Sequence, residues 1–351
     1  MAEYRRDPIV DRWVIVAPER ARRPYEFVES PQNPSLAVDP PRELRRAGCP
    51  FCEGNECDTT PEEVAVRETG SKANGPGWQV RIVPNLYPAL VSTAVADVAA
   101  VPTSPRSHER PTLRLPARGR HEVVIESPEH RLSSGELTGA HWRIVWRTIR
   151  DRFRALRDAG DCRYVQWFKN VGRAAGASLE HLHSQLMALD RVPPDVAAES
   201  AAAEAHERRT GGCLFCDLVE RELAGDLRVV EVSEAAAAFC PNAPRFSYET
   251  WVVPRRHASR FEDSADDELD ATADLLHRTL RRVENSFPNS AYNVVLHTAP
   301  FDRFQEPHYH WHWEILPRLT TAAGFEWGTG IHINPVPPEE AAASLRRINL
   351  G

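Results

Sequence analysis

Two short stretches concentrate the reactive side chains of this sequence: His181-Leu182-His183-Ser184-Gln185, and in the second half His308-Tyr309-His310-Trp311-His312-Trp313-Glu314. On a strand, residues i and i+2 share one face, so His181, His183 and Gln185 are expected side by side. Thiols and imidazoles fall twice into one series. The first half has CPFC (49–52), SPEH ending at His130, and H-x-H; the second has CLFC (213–216), PRRH ending at His257, and H-x-H again. Two thiolates and two imidazoles form the closed tetrahedral shell that structural zinc prefers. CxxC pairs in a chain without a secretion leader point to metal ligands or redox dithiols before structural disulfides. Two zinc sites per chain are expected. The second is built from Cys213, Cys216, His257 and His310, with His308 as the alternative to His310.

If His181 is committed to the first zinc, His183 is placed but left free. A neutral imidazole held on one nitrogen by a backbone hydrogen bond can attack phosphorus with the other. Gln185 then decides the reaction type, because an amide donates hydrogen bonds to phosphate oxygens but cannot give up a proton. The leaving group must need no acid, as a sugar phosphate or phosphate does. Glu314 stands at the matching position of the second copy, where its carboxylate would repel a phosphate, so that H-x-H reads as structural. Arg20 and Arg23 in PERARRP could clamp a diphosphate, with a solvated basic loop as the alternative. In KNVGRAAGAS (169–178), Gly176 and Ser178 are the best candidates for backbone N–H groups approaching phosphate. Neither GxxxxGK[ST] nor GxGxxG occurs. Cys57, Cys162 and Cys240 read as buried fillers, and the tryptophans as packing residues.

The elements that must position these groups repeat as well. RWVIVAP (12–18), WQVRIVP (78–84), HEVVIESP (121–128), YVQWFKN (164–170) and HSQLMAL (183–189) read as strands. In 136–160, Trp142, Val145, Ile149, Phe153 and Leu156 keep helical spacing. The second half repeats the plan with LRVVEVSE, YETWVVP, AYNVVLHTAP and HYHWHWEILP as strands and a helix at 266–287 carrying Leu269, Leu275, Leu276 and Leu280. The expectation is a duplicated α+β unit, each copy an antiparallel sheet packed with a long helix. A catalytic half at 1–190 and a second at 213–351 are joined by a connector at 191–212 with a short helix on its Ala-rich part; residues 93–119 read as a long loop. A net charge of -7 gives no footprint for nucleic acid. No window reaches 18 apolar residues and no apolar leader opens the chain, so a cytoplasmic protein without a membrane segment is expected.

These motifs resemble the galactose-1-phosphate uridylyltransferase family, the transferase branch of the histidine-triad superfamily. The resemblance runs through DPIVDRWVIVAPERARRP, CPFC, VPNLYPAL (83–90), VIESPEH (124–130), KNVGRAAGAS with EHLHSQ, YETWVVPRRH (248–257), and LHTAP with HYHWHWEILP. It implies two tandem histidine-triad-like repeats per subunit and a homodimer. His183 is implied as the nucleophile that takes a nucleotidyl group from a nucleotide sugar and passes it to a phosphate-bearing acceptor, with Gln185 on the phosphate. Cys49, Cys52, His130 and His181 are implied as zinc ligands. Arg20, Arg23, Asn170, Gly176 and Ser178 are implied around the phosphates, and Asn85 near the nucleoside. The expected reaction is UDP-glucose with galactose 1-phosphate. Three departures look closer to ADP-glucose phosphorylase, which would use ADP-glucose and phosphate: Leu86 where the family carries Asp, Gly328-Thr329-Gly330 where it carries Gly-Tyr-Glu, and the second CxxC. A reading of another class is a zinc-stabilised nucleotide-binding scaffold without turnover.

Overall fold

The helical spacing at 136–160 becomes a helix that starts at Gly139, because Thr138 caps it by accepting the His141 N–H at 3.2 Å, and stops at Gly160 in the left-handed region. The computed structural model describes residues 3–6, 9, 13–16, 48–90, 117–301 and 307–350. In chain order the described strands are β1 (Glu3–Arg6), β2 (Trp13–Val16), β3 (Val64–Arg67), β4 (Trp78–Pro84), β5 (Gly119–Ile125), β6 (Tyr164–Val171), β7 (His183–Leu189), β8 (Val229–Val232), β9 (Ala236–Phe239), β10 (Thr250–Pro254), β11 (Tyr292–His297), β12 (His312–Pro317) and β13 (His332–Asn334). The α-helices are α1 (Gly139–Ala159), α2 (Pro194–Thr210), α3 (Leu214–Gly225), α4 (Asp266–Ser286), α5 (Gly324–Thr329) and α6 (Pro338–Arg346).

Ten strands form one sheet in the order β3-β4-β5-β7-β6-β11-β12-β10-β9-β8. Read inward from either edge, the order is the same: β8, β9, β10, β12 and β11 take the places of β3, β4, β5, β7 and β6. The two halves meet where β6 and β11 pair antiparallel, with Asn170 opposite Asn293. Helices α1 and α4 lie together on one face, tied by Trp142 Nε1 donating to the Ala273 carbonyl at 2.8 Å and by paired Arg147–Asp270 and Arg143–Asp274 contacts. Their apolar stripes bury Trp142, Val145, Trp146, Ile149 and Phe153 from α1 and Leu269, Ala273, Leu276 and Leu280 from α4 against Val124, Leu186, Trp167, Val294 and Trp313 of the strands. Trp146 sits 4.7 Å from both Trp167 and Trp313, so one side chain joins the two halves.

Strand alternation sends Val123 and Ile125 to the opposite face, where they pack with Trp78, Val83 and Phe51. Ile125 is in register with His183 and Val123 with Gln185, which places both polar side chains on that face. Four features depart from the expectation. His181 lies in a bend just before β7, not on the strand, because Leu182 N–H pairs with the Arg131 carbonyl at 2.7 Å outside the ladder. The connector helix, expected to be short, runs 17 residues and buries Val196, Glu199, Ser200 and Ala203. Both α3, which starts directly after Cys213, and the Ala-rich β9 were not foreseen. Among the isolated thiols, Cys240 is buried, but Cys57 is exposed and is no core filler.

Candidate active site and metal centres

CPFC forms a tight turn, with Cys52 N–H donating to the Cys49 carbonyl at 3.2 Å, which turns both thiols to one side. His130 and His181 meet them there. Cys49 Sγ lies 3.4 Å from His181 Nδ1, and Cys52 Sγ lies 3.4 Å from His130 Nδ1 and 3.6 Å from His181 Nδ1. A tetrahedral cation with zinc's bond lengths separates sulfur and nitrogen ligands by about 3.6 Å, so the residues fit such an ion. His181 Nε2 donates to the Ser127 carbonyl at 2.8 Å, which leaves the Nδ1 lone pair toward the thiols. Burial pushes His181 down to about 4, so it is neutral, as a ligand must be.

His183 Nδ1 donates to the His181 carbonyl at 2.6 Å, which puts the lone pair on Nε2. Burial lowers its affinity for a proton, and the Phe51 ring stands 5.3 Å away. The imidazole borders a cavity of about 970 Å³ that is also lined by Asn170, Arg173, Ser178 and Arg281. Asn170 Oδ1 accepts from Asn293 Nδ2 at 2.7 Å, a contact across the junction of the two halves. Gly176 itself does not line that cavity, although Ala177 and Ser178 after it do; its φ is +88, and a Cβ there would meet Asn170 Nδ2 at 3.6 Å. Asn85 and Gln185 come together at a residue that the sequence reading missed, His121, whose Nε2 is 2.8 Å from Gln185 Oε1 and 3.2 Å from Asn85 Nδ2. Its place two residues before Val123 on β5 was the available signal. Arg20 and Arg23 lie outside the described residues.

In the second half Cys213 Sγ lies 3.8 Å and Cys216 Sγ 3.5 Å from His310 Nδ1, and Cys216 Sγ lies 3.6 Å from His257 Nδ1. The same tetrahedral spacing is met. The structure brings His310 to the thiols, while His308 turns to Ser200 at 3.4 Å and Glu207 at 3.7 Å. Cys213 is held far below the ordinary thiol range, chiefly by the hydrogen bond from Cys216 and further by His257 and His310, so the pair presents a thiolate.

His312 copies His183, with Nδ1 3.1 Å from the His310 carbonyl, but it is fully buried between Phe215, Trp251 and His297. Glu314 pairs with Arg245 and faces His297 Nε2 at 3.6 Å. Burial alone would raise Glu314, yet Arg245 and His297 hold it well below the carboxylate range. Sequence reading also missed that Glu199, His297 and His312 place ligand-type atoms within 4.8 Å. Nothing in their spacing joins a connector acid to two strand residues. His297 gives Nδ1 to Glu199 at 2.9 Å. Burial would lower His297, but Glu199 and Glu314 raise it to about 10, so this group is a buried ion-pair network.

A family model described as the N-terminal domain of galactose-1-phosphate uridyl transferase matches residues 1–193, more than half of the chain. The chain belongs to that family. A second model, described as a domain of unknown function (DUF4921), matches residues 119–347. This family member is 33% identical to the ADP-glucose phosphorylase of Arabidopsis thaliana, over 99% of this chain and 93% of that protein. It is 28% identical to the galactose-1-phosphate uridylyltransferase of Haemophilus influenzae, over 98% of this chain and 94% of that one. The crystal structure of an Arabidopsis thaliana ADP-glucose phosphorylase with bound ADP-glucose superimposes with a TM-score of 0.82 at 31% identity, covering 100% of both chains. A uridylyltransferase structure gives 0.72 at 29%, covering 99% of this chain and 97% of the other. The family read in the sequence and the mixed helix and antiparallel-sheet fold both stand, and the chain is an enzyme of the uridylyltransferase type. No helix among the described residues is long and apolar enough to cross a membrane.

Proposed function

We propose that this enzyme moves a nucleotidyl group from a nucleoside-diphosphate sugar to a phosphate-bearing acceptor through a covalent nucleotidyl-His183 intermediate. The observation that carries the reading is His183 itself: neutral, fixed at Nδ1 by the His181 carbonyl, and bordering the large cavity. Nε2 attacks the phosphorus that bears the nucleoside. The P–N bond forms as the P–O bond to the sugar phosphate breaks, and the sugar 1-phosphate departs with that electron pair, needing no acid. The ring proton stays on Nδ1, hydrogen-bonded to the His181 carbonyl throughout. An acceptor phosphate oxygen then attacks the same phosphorus and returns the electron pair to Nε2. Gln185 donates to the phosphate oxygens, and Asn170, Gly176 and Ser178 lie along their path, with Arg20 and Arg23 on the diphosphate and Asn85 near the nucleoside.

Two zinc ions per chain belong to the proposal, one on Cys49, Cys52, His130 and His181 and one on Cys213, Cys216, His257 and His310. When bound, they cross-link the turn and strand ends that present the site. The repeated strand order supports a division into halves at 1–190 and 213–351 about the 191–212 connector. A cytoplasmic homodimer completes the reading. Exposed Trp327, Phe325, Tyr87 and Leu86 offer apolar surface to a partner copy, and a mass twice that of the chain in solution tests it.

Two donors fit this chemistry. UDP-glucose with galactose 1-phosphate follows the family model. ADP-glucose with phosphate is favoured by the greater likeness to the Arabidopsis phosphorylase than to the Haemophilus enzyme, and by Leu86 and Gly330 at positions where the family resemblance implies acids. Assays of each donor with each acceptor decide: release of glucose 1-phosphate from one pairing is expected, and none from any pairing would sink the transferase reading.

A further inference from the structure

We infer that His121 is a positioning residue for the transfer step, acting through Gln185; this rests on the function proposed above. The Ala89 backbone N–H lies 3.1 Å from His121 Nδ1. A backbone amide only donates, so Nδ1 is the acceptor and the ring proton sits on Nε2. Nε2 in turn is 2.8 Å from Gln185 Oε1 and donates to it. Asn85 Nδ2, 3.2 Å from the same nitrogen, is also a donor and makes no bond there; Asn85 is oriented instead by the Tyr87 N–H, 2.9 Å from its Oδ1.

The consequence falls on Gln185. A carboxamide can present either its oxygen or its NH2 group, and only the second welcomes a phosphate. With its oxygen taken by His121, Gln185 turns its NH2 away from His121, and the wrong orientation costs both a hydrogen bond and a carbonyl facing an anion. The chain of hydrogen bonds runs from loop to strand to strand: Ala89, then His121 on β5, then Gln185 on β7. Asn85 N–H donating to the His121 carbonyl at 2.8 Å fastens the loop to the strand. The diagonal reach is set by the register, since Val123 pairs with Gln185 and His121 stands two residues along on the same face.

Two substitutions separate positioning from packing. In His121→Asn the side-chain oxygen can still accept from Ala89 but no donor reaches Gln185; in His121→Gln an N–H can reach the place of Nε2. Steady-state kcat and KM are measured on the full chain with the donor that labels wild-type His183. His121→Asn is expected to lower kcat about 10- to 100-fold with KM within about threefold, and His121→Gln to recover most of it, since an oriented donor to a developing phosphate charge acts mainly on the chemical step. On a Gln185→Ala background, His121→Asn should change nothing further. Equal losses in the Asn and Gln variants, or an undiminished effect on the Gln185→Ala background, would overturn the inference while leaving the proposed function standing. A wild-type chain that never labels His183 overturns both.

Discussion

His183 and His312 each hold Nδ1 against the carbonyl two residues earlier, at 2.6 and 3.1 Å, yet only His183 borders an open cavity. The proposed chemistry at His183 and not at His312 therefore rests on what surrounds each ring. Burial lowers His183 below the ordinary histidine value of 6.5. A base with a lowered pKa stays neutral further into acid, so the acid limb of kcat/KM should fall below pH 6.5; a limb at or above that value contradicts an attacking His183 in this setting. The alternation of His183 and Gln185, and the contrast of Gln185 with Glu314, were legible as residue types. The Glu314–Arg245–His297 network was not, because its members are far apart in sequence and only the fold closes the distances.

At the scale of elements, periodicity announced α1 and α4 because each must bury one continuous apolar stripe, and Trp142, Val145, Ile149 and Phe153 mark it directly. Pattern failed where burial is not striped. The connector helix α2 buries Glu199 and Ser200 beside small alanines, and α3 hides behind a motif read for its thiols. His181 was placed on a strand that begins two residues later, since a turn-like pairing with Arg131 leaves no trace in composition. The start of α1 rests on a single hydroxyl. Thr138→Ala should cost about 1 kcal/mol, seen as a lower denaturant midpoint with an unchanged slope, and no loss would mean that the cap contributes nothing.

Over the whole molecule, one continuous sheet with the same strand order read from either edge carries a Cys2His2 cluster on each side of its middle. That there are two clusters could be read from the order of thiols and imidazoles; that the halves share a sheet through β6 and β11 could not, because strand pairing between copies has no local signature. The two clusters should separate experimentally. Cys213→Ser is expected to lower zinc from about two to about one per chain and to lower the melting temperature while His183 still labels, since metal binding becomes folding free energy. Cys49→Ser should remove the other zinc and the labelling together, because His181 both faces that metal and holds His183. Zinc content of one or none in the wild type would refute two sites.

The most direct measurement is peptide mass mapping of the unmodified chain after brief mixing with UDP-glucose or ADP-glucose, without acid that would break a phosphorus–nitrogen bond. A nucleoside monophosphate on the His183 peptide from at least one donor, absent from the His312 peptide and lost with addition of acceptor, is the predicted result. No adduct from either donor, or an adduct confined to another residue, would contradict nucleotidyl transfer through His183.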